Sequence, residues 1–426
     1  MIQNITKKRF KELKTTQIKL NYFNMILRDY QNEIVIKGKS ILKQFGMVYL
    51  AMEVRTGKTA TALTIAKDYK RVLFITKKKA IQSILDDFSA LNYNYELIVI
   101  NNESLHKIDG KFDLIISDEH HRNGTFPKPN LSAKFIKKNF SHLPMIFLSG
   151  TPSPESYSQL FHQFWVSDKS PFAQYKNFYS WAKDYVNVKE KNFGYIVKDY
   201  SDAKFSDINA CVSKYFIKFT QNDAGFSTKV NENVLICTLK QSTYDIINKL
   251  KRDLIVIGKD EEIIADTKVK LMQKIHQLSS GTIIFESGNA KVIDDSKAQF
   301  IKETFKGKKI AIFYKFQQEL NAIKSVFNDS LTTELNVFNE THKHIALQIV
   351  SGREGISLKN ADVLIYYNID FSALSYWQSR DRLTTMERKT NDIYWIFSDK
   401  GIERQIYKQV IAKKDYTLNH FIKTEL

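Results

Sequence analysis

The chain has 426 residues, is 43% hydrophobic and 26% charged, and carries a net formal charge of +18. That length exceeds one core of ordinary size, so two domains, or two plus an insertion, are expected. Two cysteines, Cys211 and Cys237, exclude a disulfide-stapled scaffold and a cysteine-rich zinc module.

The first residues, MIQNITKKRF, have no apolar core behind their basic charge. No signal peptide is expected there, and no apolar run approaches the ~20 residues that span a bilayer. A cytoplasmic protein without a membrane partner is the expectation. The excess of Lys and Arg attracts polyanions, of which nucleic acid is the usual one. A lysine-rich composition inherited from an AT-rich genome is the plainer alternative.

In chain order, short apolar runs alternate with helical stretches. The first half holds GMVYLAM (46–52), RVLFIT (71–76), YELIVI (95–100), FDLIIS (112–117) and MIFLSG (145–150). The second holds KKIAIFY (308–314), HIALQIV (344–350), DVLIYY (362–367) and DIYWIF (392–397). None alternates with polar residues, which is the pattern of strands buried on both faces of a parallel sheet. Two α/β lobes with doubly wound parallel sheets are expected in tandem. Residues 157–226, dense in Phe, Tyr and Trp, have two readings: they fill a core or they stack bases, and core is the commoner use of aromatics. Residues 238–283 carry helical spacing at Tyr244, Ile247, Leu250 and Leu254.

Chemistry first shows after the first strand, in Glu53-Val54-Arg55-Thr56-Gly57-Lys58-Thr59, ahead of a helix-like stretch. A tight turn between buried strand and helix aims backbone N–H groups at one spot, where a phosphate sits. Lys58 adds charge for the β- and γ-phosphates, and the Thr59 hydroxyl can ligate Mg²⁺. The second element, Asp118-Glu119-His120-His121, closes another buried strand. Carboxylates there cost desolvation unless a cation or a reaction uses them. Asp118 suits Mg²⁺, and Glu119 suits the water that attacks the γ-phosphate. A solvated acidic loop is the alternative; a zinc site on the two histidines is disfavoured without an H-E-x-x-H helix.

Together these motifs resemble superfamily 2 helicases and translocases, and the remaining motifs follow in order. Leu27-Arg28-Asp29-Tyr30-Gln31 resembles the Q motif, Thr76-Lys77-Lys78-Lys79 motif Ia, Asn101-Asn102-Glu103-Ser104-Leu105 a further strand-contact loop, and Ser149-Gly150-Thr151-Pro152 motif III. Ile312-Phe313-Tyr314 resembles motif IV, and Tyr376-Trp377-Gln378-Ser379-Arg380-Asp381-Arg382 motif VI. The run Ser351-Gly352-Arg353-Glu354-Gly355-Ile356-Ser357-Leu358 resembles motif V of the Swi2/Snf2-like branch. The style of the motifs is most similar to bacteriophage-encoded DNA helicases, which would place the protein in a host cytoplasm.

The resemblance implies two tandem RecA-like lobes, residues 1–165 and 236–426, with an aromatic-rich, largely helical insertion or accessory region at 166–235. It implies an ATP-dependent DNA helicase or translocase. Lys58, Asp118, Glu119 and Arg382 are the implied catalytic residues, and Thr59 and Asp118 the implied Mg²⁺ ligands. ATP would also meet Arg28 and Gln31, the loop residues Arg55, Thr56 and Gly57, and Gly355 and Gln378. Nucleic acid, single-stranded, duplex or branched DNA with RNA as the second choice, would meet Lys77, Lys78, Ser104, Thr151, Ser351 and Gly352. The alternatives are an RNA helicase and a nucleic-acid-binding subunit with a vestigial ATPase. Two departures stand out. Met52 and Arg55 occupy the usual glycine positions of motif I, and Thr385 occupies that of the second arginine of motif VI, leaving Arg380, Arg382 and Arg388 as candidates for the arginine that reaches the γ-phosphate, with Arg382 preferred.

Overall fold

The computed structural model describes residues 25–192, 196–352, 356–385 and 387–412. Gly355, assigned above to ATP, lies outside the described residues, as do Arg353 and Glu354.

All nine expected strands form, and they fall into two sheets. The first contains β1 (Met47–Met52), β2 (Arg71–Thr76), β3 (Glu96–Asn101), β4 (Leu114–Ser117), β5 (Met145–Leu148) and β6 (Phe216–Phe219). Their order is β3-β2-β4-β5-β1-β6 and every pairing is parallel. The second contains β7 (Lys229–Cys237), β8 (Ile310–Tyr314), β9 (Leu331–Thr332), β10 (His344–Gln348), β11 (Val363–Tyr366) and β12 (Thr390–Ser398). Its order is β9-β10-β8-β11-β12-β7, again all parallel. These are the two tandem α/β lobes, each built on a parallel sheet.

The absence of polar alternation has the expected cause. Along β1, Met47 and Tyr49 enter one core while Val48, Leu50 and Met52 enter another on the opposite face. β8 divides in the same way, with Ala311 and Phe313 on one face and Ile310, Ile312 and Tyr314 on the other. Helices cover both faces, so each strand is apolar throughout.

Residues 166–235 divide between the lobes. Phe172, Phe178, Trp181, Val186, Ile208 and Val212 join Phe147 and Phe161 in one core of the first sheet. Phe161 and Trp181 lie 5.3 Å apart, and Trp181 stacks on Tyr185 at 5.2 Å. Truncating a fully buried aromatic of this size commonly costs about 3–5 kcal/mol. Most of the described aromatics of this segment pack in the core, while Tyr179 and Phe205 are exposed. Within the segment β6 adds an edge strand to the first sheet, and β7 then opens the second lobe at an edge of its own sheet.

Three strands of the two six-stranded sheets carry no clear sequence signal. β6 lies within the aromatic stretch, β9 has two residues, and β7 (KVNENVLIC) mixes polar with apolar positions because it is a half-exposed edge strand. The helical spacing after residue 238 also ends sooner than expected. The helix Gln241–Asp253 buries Tyr244, Ile247 and Leu250, but Leu254 adopts a left-handed conformation (φ 61°) as its cap and is exposed. A hairpin of Ile255–Ile257 and Glu262–Ile264 follows.

Candidate functional site

In a parallel sheet the loops after the strands open on one edge, where ligands bind at changes of strand order. The loops after β1, β2, β4 and β5 bring residues 53–58, 77, 118–119 and 149–151 to that edge.

After β1 the chain turns through Arg55 (φ 66°) and Gly57 (φ 83°) before the helix Lys58–Ile65 begins. Gly57 is required twice over, by its φ and by space: a Cβ there would sit 1.9 Å from Gln31 Nε2. Gln31 in turn accepts a hydrogen bond from Arg28 N at 2.8 Å, and Tyr30 OH donates to the Thr56 carbonyl at 3.2 Å. The Q-motif-like residues therefore buttress the phosphate loop. Lys58 Nζ donates to the carbonyls of Met52 (2.8 Å) and Glu53 (2.9 Å). Burial pulls its amine below the usual lysine range, and the charges of Glu119 and Asp118 oppose that shift. Thr59 follows in the first helical turn.

At the end of β4, Asp118 Oδ2 accepts from Thr76 Oγ1 at 2.8 Å and Oδ1 from the Glu119 amide at 2.9 Å. Burial first, then the charge of Glu119, pushes the Asp118 carboxyl above the usual carboxylate range. Glu119 takes a left-handed conformation (φ 46°). Burial alone would raise its carboxyl too, but His121, Lys77, Lys58 and Arg382 together outweigh burial and hold it below the usual range. The pair is thus split by its surroundings, one carboxyl held up and the other down.

The two histidines have separate roles. His120 is fully buried against Phe147, with its ring nitrogens 2.9 Å from Ser117 Oγ and from the Gln163 carbonyl. Burial pushes its pKa down to about 3. His121 Nδ1 lies 2.9 Å from Ser149 Oγ and 3.3 Å from Glu119 Oε2. Ser149 Oγ also accepts from the Thr151 amide at 3.1 Å, so His121 ties the Glu119 carboxylate to the turn at residues 149–151.

The second lobe supplies Gln378 and Arg382. The helix Ala373–Ser379 tightens into a 3₁₀ turn over Arg380–Leu383, which turns neighbouring arginines to different partners. Arg382, 6% exposed, donates from Nε to the Gln378 carbonyl (2.9 Å) and from Nη1 to that of Ile356 (3.2 Å). Its charge acts on both Lys58 and Glu119 across the cleft. Arg380 turns the other way, onto Glu232 of β7 at 3.1 Å. Arg388 donates to the carbonyls of Ala361 (2.7 Å), Thr390 (3.0 Å) and Asp362, pinning two loops together. Arg382 alone of the three faces the carboxylates.

Between the lobes lies a cavity of about 350 Å³, lined by Glu53, Glu119, Thr151 and Tyr157 on one side and Trp377, Gln378 and Arg382 on the other. Three buried side-chain atoms that line it, Glu119 Oε2, Thr151 Oγ1 and Gln378 Oε1, accept or donate no hydrogen bond among the described residues. Buried polar atoms without partners are few in folded proteins, and three around one cleft point to a polar ligand.

The other expected residues lie in the segments that follow strands of both sheets. Lys77 is half-buried, close enough to act on Glu119, while Lys78 is exposed. Ser104 lies in the 3₁₀ turn after β3, and Ser351 and Gly352 end the short helix after β10. Arg55, expected as an ATP contact, sends its guanidinium across to the second lobe. Thr76, expected only as the first residue of motif Ia, steadies Asp118, and Glu232 carries no signal in the sequence. Glu232 accepts from Tyr376, Trp395 and Tyr407 besides pairing with Arg380, and so anchors the arginine-bearing helix. No spacing signal reaches it, because its partners lie more than 140 residues away in sequence.

No family model matches this sequence. The sequence is 22% identical, over 91% of its length, to the SWI/SNF-related matrix-associated actin-dependent regulator of chromatin subfamily A-like protein 1 homolog of Caenorhabditis elegans. The aligned part is 60% of that relative's length. Among solved structures, the Sulfolobus solfataricus SWI2/SNF2 ATPase core domain aligns over 94% of this chain and 92% of its own, at 16% identity and a TM-score of 0.41. The same core in complex with dsDNA aligns over 93% of each chain, at 15% identity and the same TM-score.

Proposed function

We propose that this protein is an ATP-dependent DNA translocase or helicase that hydrolyses ATP in the cleft between its lobes. The observation that carries this reading is a cavity between the lobes lined by Glu119 and Thr151 on one side and Gln378 and Arg382 on the other, with Lys58 and Asp118 close enough to Glu119 and Arg382 for their charges to act on one another, and with buried Thr151 Oγ1 and Gln378 Oε1 making no hydrogen bond among the described residues. The resemblance to a SWI/SNF-related protein supports the choice of DNA.

The residues fit ATP with Mg²⁺. Among the described residues no cluster of three or more His, Cys, Asp or Glu can hold a metal. A hydroxyl (Thr59) and one carboxylate (Asp118) are instead the sparse, hard-oxygen donor set that Mg²⁺ uses when phosphates and water complete its shell. When bound, the ion neutralises charge on the β- and γ-phosphate oxygens. Lys58 would exchange its two carbonyl partners for phosphate oxygens, Glu119 would orient the attacking water, and Arg382 would meet the charge that develops in transfer. Alternate closing and opening of the lobes would then move two backbone-gripping surfaces relative to each other along a strand.

The test is the ATPase rate with single-stranded DNA, duplex, forked DNA and RNA in parallel. Stimulation by DNA is expected; stimulation by RNA alone overturns the substrate choice, and no stimulation by any of them overturns the reading. A second expectation concerns grip. Replacing Lys77 and Lys78 with alanine should weaken DNA binding irrespective of sequence, and the slope of log affinity against log salt should become shallower by roughly one to two units, since each lost phosphate contact removes about 0.7–0.9. An unchanged slope would assign both lysines to the solvated surface.

A further inference from the structure

We propose that Arg55 is a cross-cleft latch, a positioning residue that sets the second lobe and its Arg382 against the phosphate loop. This rests on the reading of Arg382 given above. Three observations carry it. Arg55 holds φ 66°, a conformation that L side chains adopt rarely and that persists where surrounding structure over-determines it. Its loop is braced on both sides, by Tyr30 at the Thr56 carbonyl and by Thr56 Oγ1 donating to the Glu53 carbonyl at 2.7 Å. From that base, Arg55 Nη2 donates to Ser357 Oγ at 3.1 Å and to the backbone carbonyl of Arg382 at 2.8 Å, more than 300 residues away in sequence.

The place it grips is the one that holds Arg382. The Arg382 carbonyl also accepts from the Leu358 amide at 2.9 Å, and Arg382 Nη1 returns to the Ile356 carbonyl at 3.2 Å. Residues 356–358 and 382 therefore form one hydrogen-bonded unit, and the Arg55 guanidinium joins the phosphate loop to it. Both bonds leave from the single nitrogen Nη2, whose two N–H directions are fixed in the guanidinium plane, so the two acceptors are held in one geometry at the full reach of the arginine side chain. The same contact makes a phosphate loop residue a determinant of lobe approach, so any ligand that shifts Arg55 also shifts Arg382.

The test separates the latch from the ATPase. With Cys211 and Cys237 replaced, fluorophores on Ile36→Cys and Asp329→Cys, both exposed positions on opposite lobes, report the interlobe distance by single-molecule energy transfer without added nucleotide. Arg55→Gly is the informative variant, because glycine accepts φ 66° without strain while the side chain that spans the cleft is removed. It should lengthen and broaden the distance distribution, and Ser357→Ala, which removes one of the two acceptors, should do so to a smaller extent. Turnover with DNA should fall at least tenfold in Arg55→Gly while the affinity for a fluorescent ATP analogue changes less than threefold, and Arg55→Lys should restore little. An unchanged distance distribution in Arg55→Gly overturns the latch, as does a tenfold loss of nucleotide affinity with the distance intact, which would make Arg55 a phosphate ligand. A parent protein without ATPase activity would count against the proposed function, and the distance measurement would still decide the latch.

Discussion

Arg382→Ala is expected to lower kcat for DNA-stimulated hydrolysis by at least ~10³, roughly 4 kcal/mol of transition-state stabilisation, while changing nucleotide affinity far less. The split follows from when the contact matters: an arginine that meets charge developing in phosphoryl transfer contributes chiefly in the transition state. The three arginines of this region make the experiment self-controlled. Arg388 spends its donors on the carbonyls of Ala361 and Thr390, and Arg380 spends its charge on Glu232. Arg388→Ala and Arg380→Ala should therefore lower the melting temperature more than kcat. Arg380→Ala also unties one partner from the carboxylate that anchors the motif VI helix, so kcat is to be compared at equal folded fraction. A large loss in Arg380→Ala or Arg388→Ala, with Arg382→Ala near the parent, removes Arg382 from this role.

Glu119→Gln is expected to lower hydrolysis by about 10²–10⁴, the range a positioned general base contributes, and to leave nucleotide binding nearly intact. Its carboxyl lies below the usual range because His121, Lys77, Lys58 and Arg382 outweigh the effect of burial, so it is ionised at neutral pH and able to orient or accept a proton from water. Its Oε2 takes no hydrogen bond from the described protein atoms and lines the cleft. The amide keeps the shape and loses the charge, while Asp118 remains to hold the cation. Equilibrium binding of a fluorescent ATP analogue beside single-turnover hydrolysis separates the two effects. A Glu119→Gln variant that hydrolyses ATP at the parent rate would falsify the assignment.

The nine apolar runs and the motifs at their ends were legible in the amino-acid sequence because their causes are local. A strand buried on both faces must be apolar throughout, and a phosphate loop needs a glycine and a lysine at adjacent positions. Gly57, Lys58, Asp118 and Glu119 could therefore be named before any contact was known. The edge strand β7 was not legible, since a half-exposed strand mixes polar and apolar residues and matches neither simple period. Leu254 fitted the helical spacing yet caps its helix in a left-handed conformation, because spacing alone does not mark where a helix stops.

What only the tertiary structure decided are the relations between distant segments. Arg380, Arg382 and Arg388 are alike in sequence; the passage from α-helix to 3₁₀ turn and the position of Glu232 on a distant strand send them to different partners. The partition of Asp118 and Glu119 into one raised and one lowered carboxyl depends on burial and on charges drawn from both lobes. The reach of Arg55 to Ser357 and the Arg382 carbonyl joins positions that no periodicity connects. Hydrogen bonds and buried charges act over a few ångströms of space rather than of sequence, so the sequence by itself determined which groups are present, and the packing of the two lobes determined which of them meet.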